Sequence, residues 1–291
     1  MFAAEATEVY NSGMTDHESK KPVELPALPQ GVKGECNVEY AHVGGHCLRL
    51  DVFMPGAAGP RPVVVWVHGG GWRQGDKEQC PGIYLAEAGF AVASIEYRLS
   101  DTAPFPAHIH DCKAAIRFLR ANAARFNLDP GRIGAWGCSA GGHLVALLGA
   151  TNDLPALEGD VGGNLGFSSR VQAVCNSCGV GDLFELADEW RPTQWMPYLD
   201  AFLGGPIEQF KDKAAAGSPV THIAPGGPPF YSIHGDKDDI VPVMQSIRLD
   251  AALRKAGVPS TLEIVPGGGH GMLWSEAMAS RVLDFFKQTL A

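Results

Sequence analysis

The sequence predicts an α/β fold: a mostly parallel central sheet that opens with an antiparallel hairpin and carries helices on both faces. Three observations predict it. Continuous apolar runs occur at 62–67 (Pro-Val-Val-Val-Trp-Val) and 90–97, and strands covered on both faces read this way. Apolar residues at 109, 112, 116, 119, 123 and 126 step alternately by three and four, which gives a helix with one apolar face. Strand and helix patterns alternate along the chain, as parallel sheets require.

The elements follow in order. Residues 1–34 are polar, then proline-rich (Pro22, Pro26, Pro29), with no periodicity, and read as a leader or linker that can be disordered. Residues 35–291 read as one domain. Segments 38–43 and 46–53 flank Gly44-Gly45, a two-residue hairpin signal. A short strand at 132–137 leads into a helix at 143–150, and further strands are expected at 171–175, 229–234 and 261–265. A helix over 243–256 stops at Gly257, and another spans 275–290. Between two strands, 181–228 breaks the rhythm and holds Trp190, Trp195, Tyr198, Phe202 and Phe210. It reads as a small helical excursion over the C-terminal edge of the sheet, in place of a large cap.

Composition excludes several classes. The 291 residues are 45 % apolar and 19 % charged, an ordinary globular balance. With 23 basic and 32 acidic residues, the net charge of −9 argues against nucleic acid and anionic membranes as partners. No apolar stretch approaches the ~20 residues of a membrane span. The N-terminal residues hold no basic and apolar signal pattern, so the chain reads as cytoplasmic, or as secreted with its signal already removed. Seven cysteines make no disulfide framework. Cys175-x-x-Cys178 offers two ligands where a structural zinc needs four, and reads as a pair of idle thiols. There is no G-x-G-x-x-G, Walker A or H-E-x-x-H motif, so neither a cofactor nor a metal is expected.

The chemistry centres on Gly137-Cys138-Ser139-Ala140-Gly141, a G-x-S-x-G match where a strand ends and a helix begins. A nucleophile elbow needs small neighbours there, because its serine occupies a strained turn. A serine hydroxyl needs a base to take its proton. His270 alone lies beyond the last expected strand, in a glycine-rich loop. Asp236, Asp238 and Asp239 can each supply the carboxylate that orients it. Asp236 follows Gly235 directly and suits the turn itself, while Asp239 lies near the helix start and suits a cap. Asp238 is left between these tasks. His68-Gly69-Gly70-Gly71-Trp72 follows the 62–67 strand and suits an oxyanion loop, with N–H groups from Gly70-Gly71 joined by that of Ala140. His68 reads as structural. His108 and His110 read as surface or capping groups, and Arg98 can pair with Asp111.

Taken together, His68-Gly-Gly-Gly-Trp72, Gly137-Cys-Ser-Ala-Gly-Gly-His143, His234-Gly-Asp-Lys-Asp-Asp-Ile-Val-Pro242 and Gly269-His270-Gly271 resemble the α/β-hydrolase superfamily. Within it they resemble the HGGGW-loop esterases that include bifunctional feruloyl and acetyl xylan esterases. The resemblance covers residues 38–291. It implies Ser139 as nucleophile, His270 as base and Asp238 as acid. One departure stands out: at Cys178-Gly179-Val180-Gly181-Asp182 such sequences often carry an aromatic residue followed by G-P-T-D.

The expectation is a serine carboxylic-ester hydrolase acting on short-acyl or hydroxycinnamoyl esters, as small molecules or linked to plant polysaccharide. Trp72, Trp190 and Trp195 are expected in the substrate pocket. The alternatives are an arylformamidase-like amide hydrolase, a small serine peptidase, and a binding protein on the hydrolase fold. Oligomeric state is not legible.

Overall fold

The computed structural model describes residues 28–56, 58–152, 154–270 and 275–290. The eight described strands form one sheet in the order β1-β2-β4-β3-β5-β6-β7-β8. β1 (Val32–Val43) and β2 (His46–Pro55) are the antiparallel hairpin, and β2 pairs antiparallel with β4 (Ala91–Ile95). β3 (Arg61–Val67), β5 (Leu128–Cys138), β6 (Ala173–Ser177), β7 (Phe230–Gly235) and β8 (Ser260–Val265) complete it in parallel. Gly44 and Gly45 turn the hairpin at φ 57° and 83°. A two-residue loop with both centres left-handed matches the twist of its strands.

β1 starts six residues before the expected segment at 38–43. Its register shifts between Glu35 and Val38, where Asn37 stands at φ 56° and donates its N–H to Asp51 Oδ1 at 2.7 Å. That irregularity hides the strand's first half from pattern reading. Of the expected 1–34 leader, residues 1–27 lie outside the described residues. Leu28 and Val32 pack against the core.

The central strands β3 and β4 are covered on both faces, as the apolar runs predict. Val63, Val65 and Val67 enter one core, with α2 (Ala107–Ala121), α3 (Ala140–Ala150) and α7 (Met244–Lys255). Val64 and Trp66 enter the other, with α1 (Tyr84–Glu87) and α8 (Glu276–Leu290). Successive side chains of one strand thus feed opposite layers.

α2 ends at Ala121, short of the expected 126. The Asn122 amide donates to Phe118 O at 2.9 Å, and Asn127 is left-handed at φ 53°. Ala123 and Phe126 keep their buried places from within turns. His108 is not a surface group. It is fully buried beside Ser100, and burial drives its pKa down to about 3. Arg98 does pair with Asp111, bidentately at 2.7 and 2.8 Å.

The 181–228 excursion is helical: α4 (Leu183–Trp190), α5 (Met196–Leu203) and α6 (Lys211–Gly217). Asp182 caps α4 by accepting the Phe184 N–H at 2.9 Å, and Gly204 closes α5 at φ 89°. The excursion is anchored over the C-terminal ends of the strands. Phe202 O accepts from Phe105 N, Gly217 O from His143, and Trp190 Nε1 donates to Ile240 O. Among the described residues no helix is long and apolar enough to cross a membrane.

Candidate active site

β5 turns into α3 at Ser139, which stands at φ 57°, ψ −120°. A non-glycine residue there costs on the order of 1–3 kcal/mol and persists only where its surroundings fix it. The two glycines of the motif supply the fixing. A Cβ on Gly141 would collide with the carbonyl oxygens of Val67 and His68, and one on Gly137 with that of Gly141. The start of α3 can therefore press against the end of β3. The Ser139 N–H donates to Ser177 O at 2.8 Å, which ties the turn to β6 as well.

The loop after β8 brings His270 to this turn. Its Nδ1 lies 2.8 Å from Asp238 Oδ2 and its Nε2 lies 3.0 Å from Ser139 Oγ. An ionised carboxylate only accepts, so Nδ1 carries the proton and Nε2 is left to accept from the serine hydroxyl. Burial pushes the His270 pKa down, but the hydrogen bond to Asp238 and nearby negative charge outweigh it, and the net shift is upward. Gly271 lies outside the described residues.

Asp238 is the carboxylate that reaches His270. Its Oδ1 accepts the N–H groups of Ile240 and Val241 at 3.0 and 2.9 Å. The turn before Pro242 is thus held by Asp238 itself, not by Asp239, which is exposed. α7 begins only at Met244 and has no side-chain cap. Asp236 does bond in the turn, accepting Gly267 N–H at 2.7 Å across to the His270 loop. A second histidine, not singled out from the sequence as a partner of the acid, also grips Asp238. His234 Nε2 donates to Val241 O at 2.8 Å and lies 3.3 Å from Asp238 Oδ2, while its Nδ1 accepts from Ser246 Oγ at 2.7 Å. The signal was available, since His234 and Asp238 are four apart around a tight turn. Burial favours the neutral form of Asp238, but the bonds from His234, His270 and Val241 N–H prevail and hold its pKa well below the usual carboxylate range.

The glycine loop lies against the serine turn. A Cβ on Gly69 would stand 3.4 Å from Ser139 Cβ. Gly70 and Gly71 are left-handed, at φ 107° and 59°, and the Tyr198 ring occupies the space a Gly71 side chain would need. His68 is structural, as expected: it stacks on Tyr97 at 4.3 Å and donates Nδ1–H to Gly69 O at 2.8 Å. Burial lowers its pKa to about 4.

Of the three tryptophans expected in the pocket, two are core. Trp72 is 1 % exposed, and its Nε1–H donates to His143 Nδ1 at 3.1 Å. His143 passes the link on, donating Nε2–H to Gly217 O at 2.7 Å. Glycine loop, serine helix and excursion are joined by this neutral imidazole, whose pKa burial lowers to about 4. Trp190 is also buried, bonded to Ile240 O beside Asp238. Trp195 is half-buried, with the half-buried Tyr198 against it at 5.6 Å. For a metal, the ligand atoms of Cys178, Asp238 and His270 all lie within 4.8 Å of one another. Cys178 contacts Cys138, not Cys175, and all seven cysteines are free thiols.

A mostly parallel sheet with this serine turn at the C-terminal end of β5, and with the acid and histidine loops after β7 and β8, makes the protein an α/β-hydrolase. The match of the BD-FAE family model to residues 50–253 goes further: the chain belongs to that family. Esterase LipQ of Mycobacterium tuberculosis is 34 % identical over an alignment of 255 positions that covers 82 % of this chain and 58 % of LipQ. The chain therefore spans a little over half the length of that relative. A truncated carbohydrate esterase from gut microbiota superposes with a TM-score of 0.80 at 31 % identity, over 91 % of this chain and 99 % of its own. An acetyl ester-xyloside bifunctional hydrolase from Caldicellulosiruptor lactoaceticus gives 0.73 at 25 % identity, over 90 % and 97 %.

The glycine contacts generate a stability prediction. Gly141→Ala forces the α3 start away from β3 and is expected to cost about 1–3 kcal/mol, the overpacking scale. Thermal unfolding will show it as a lowered Tm. An unchanged Tm would mean that the close approach is not what fixes the turn.

Proposed function

We propose that the protein is a serine hydrolase of carboxylic esters. The observation that carries this reading is the hydrogen-bonded line from Ser139 Oγ to His270 to Asp238, at 3.0 and 2.8 Å. As His270 Nε2 takes the hydroxyl proton, Ser139 Oγ attacks the ester carbonyl. Asp238, ionised at neutral pH, stabilises the imidazolium that forms and fixes its tautomer. The N–H of Ala140 and those of the Gly70-Gly71 segment receive the charge that develops on the carbonyl oxygen. His270 then protonates the leaving alkoxide and activates water against the acyl-enzyme.

For substrate, the reading is acetyl or hydroxycinnamoyl esters borne on plant polysaccharide. The support is the family together with neighbours named as a carbohydrate esterase and an acetyl ester-xyloside hydrolase. The half-buried Trp195 and Tyr198 suit a sugar ring or an aromatic acyl group. The excursion is three short helices and not a large cap, which favours short acyl groups. Acetylated xylan, methyl ferulate, p-nitrophenyl esters of rising chain length and N-formylkynurenine compared side by side will test it. Acetyl esters should turn over much faster than decanoyl ones, and a rise in kcat/KM with chain length would contradict the reading.

Ser139→Ala is expected to fold normally and lose ~10³-fold or more in kcat, since the three groups act as a unit. A variant with native circular dichroism and a tenth of the activity would remove Ser139 from the mechanism. Among the carboxylates, Asp238→Asn should lose ~10²-fold or more in kcat, because the amide leaves His270 in the wrong tautomer. Asp239→Asn should stay within about tenfold. Asp236→Asn should do the same while losing ~1 kcal/mol of stability with the Gly267 bond.

The pH dependence has a sign. His270 works as a base only when neutral, and its pKa is raised. Activity should therefore fall as pH drops through a value above the ~6.5 of an unperturbed histidine. A kcat/KM profile on p-nitrophenyl acetate with its acid limb below that value would refute this.

A further inference from the structure

Two thiols lie behind the serine turn, and the proposed reaction uses neither. Cys138 is the residue before Ser139, and Cys178 follows β6. Both are buried, with their sulfurs 3.8 Å apart. Cys178 stands at φ 44°, a conformation that costs energy in any residue but glycine, and its N–H is fixed to Ile233 O at 2.8 Å. The same thiol completes a set with His270 and Asp238: one sulfur, one ring nitrogen and one carboxylate oxygen within 4.8 Å of one another.

We propose that Cys178, His270 and Asp238 form a binding site for a zinc-group divalent cation, Zn²⁺ or Cd²⁺, whose occupation blocks the active site. Bonds of about 2.0–2.3 Å in a tetrahedron place zinc ligands roughly 3.3–3.8 Å apart. The three ligand atoms already lie within 4.8 Å of one another, a gap that side-chain rotation closes. The donor set is one sulfur, an imidazole and a carboxylate, with the fourth place left to water, which suits zinc-group ions and is wrong for magnesium or calcium. On binding, the Cys178 S–H bond breaks heterolytically. The sulfur pair goes to the metal and the proton to solvent, with no change of oxidation state. His270 gives a ring-nitrogen lone pair and Asp238 a carboxylate lone pair. An imidazole so held no longer takes the Ser139 proton with Asp238 orienting it.

The inhibitory half of this proposal rests on the hydrolase reading, and the binding half does not, so the two are measured separately. A second group, Glu39, His42 and Cys47, sits exposed on the β1–β2 hairpin, so every protein compared carries Cys47→Ser. Binding is followed with Cd²⁺ through the ultraviolet thiolate-to-metal charge-transfer band and through proton release in weak buffer. Inhibition is followed with Zn²⁺ on p-nitrophenyl acetate and reversed with a chelator. The parent should show the band and reversible inhibition. Cys178→Ala should keep esterase turnover and need at least ~10-fold more metal for both signals, the least expected when a ligand is lost. His270→Asn should weaken the Cd²⁺ band as well, a readout that needs no catalysis. No band in the parent, or a band and inhibition indifferent to Cys178→Ala, overturns the site. A band that depends on Cys178 without loss of turnover overturns the inhibitory half alone. If the parent shows no esterase activity at all, the hydrolase reading fails while the band still decides the site.

Discussion

The backbone contact between the start of α3 and the end of β3 is what the site depends on. Glycines at 137 and 141 let the helix begin against the Val67 and His68 carbonyls, closer than any side chain allows. A chain held that tightly has to reverse direction within one residue, and Ser139 takes the resulting left-handed conformation. Its hydroxyl is thereby presented at the edge of the sheet instead of being buried among helix side chains. The same contact sets the glycine loop after β3 alongside the serine. Both parts of the proposed oxyanion site then follow from one packing decision.

Around this turn, buried histidines are kept neutral or held in one tautomer by fixed partners. His143 accepts from Trp72 and donates to Gly217 O, and so joins the loop, the serine helix and the excursion without introducing a charge. His234 donates to Val241 O and accepts from Ser246, so a single orientation satisfies both nitrogens. These contacts let Asp238 stay ionised in a largely buried place, because its oxygens are met by backbone N–H groups and two imidazoles. An unpartnered carboxylate there would take up a proton and cease to orient His270.

Much of this was readable in advance. Apolar runs marked the covered strands, since such a run reports that both faces meet the core. Gly44-Gly45 located the hairpin, because few residues accept two successive left-handed conformations. The elements that were misread are those where the conformation or bonding of a single asparagine outweighs the apolar pattern. The helix over 109–126 keeps its apolar period to Phe126, yet Asn122 and Asn127 end the backbone helix at Ala121. The first half of β1 is masked by the irregularity at Asn37, which exists to meet Asp51.

By itself the sequence determined the fold class, the serine turn and the candidate members of the site. These depend on short-range properties: which residues are small enough to pack, which strands are apolar throughout, and which groups can carry a proton. Only the tertiary structure decided how those members are used. Trp72 and Trp190 look like pocket aromatics in one dimension. In three they are core, because their indole N–H groups find partners inside the protein. Asp238 was favoured over its neighbours, but that it holds its own turn and is shared between His234 and His270 depends on β7 and β8 lying side by side. Cys178 was read with Cys175, as one C-x-x-C spacing. The fold turns it instead to Cys138 on the neighbouring strand, because adjacent parallel strands end in register.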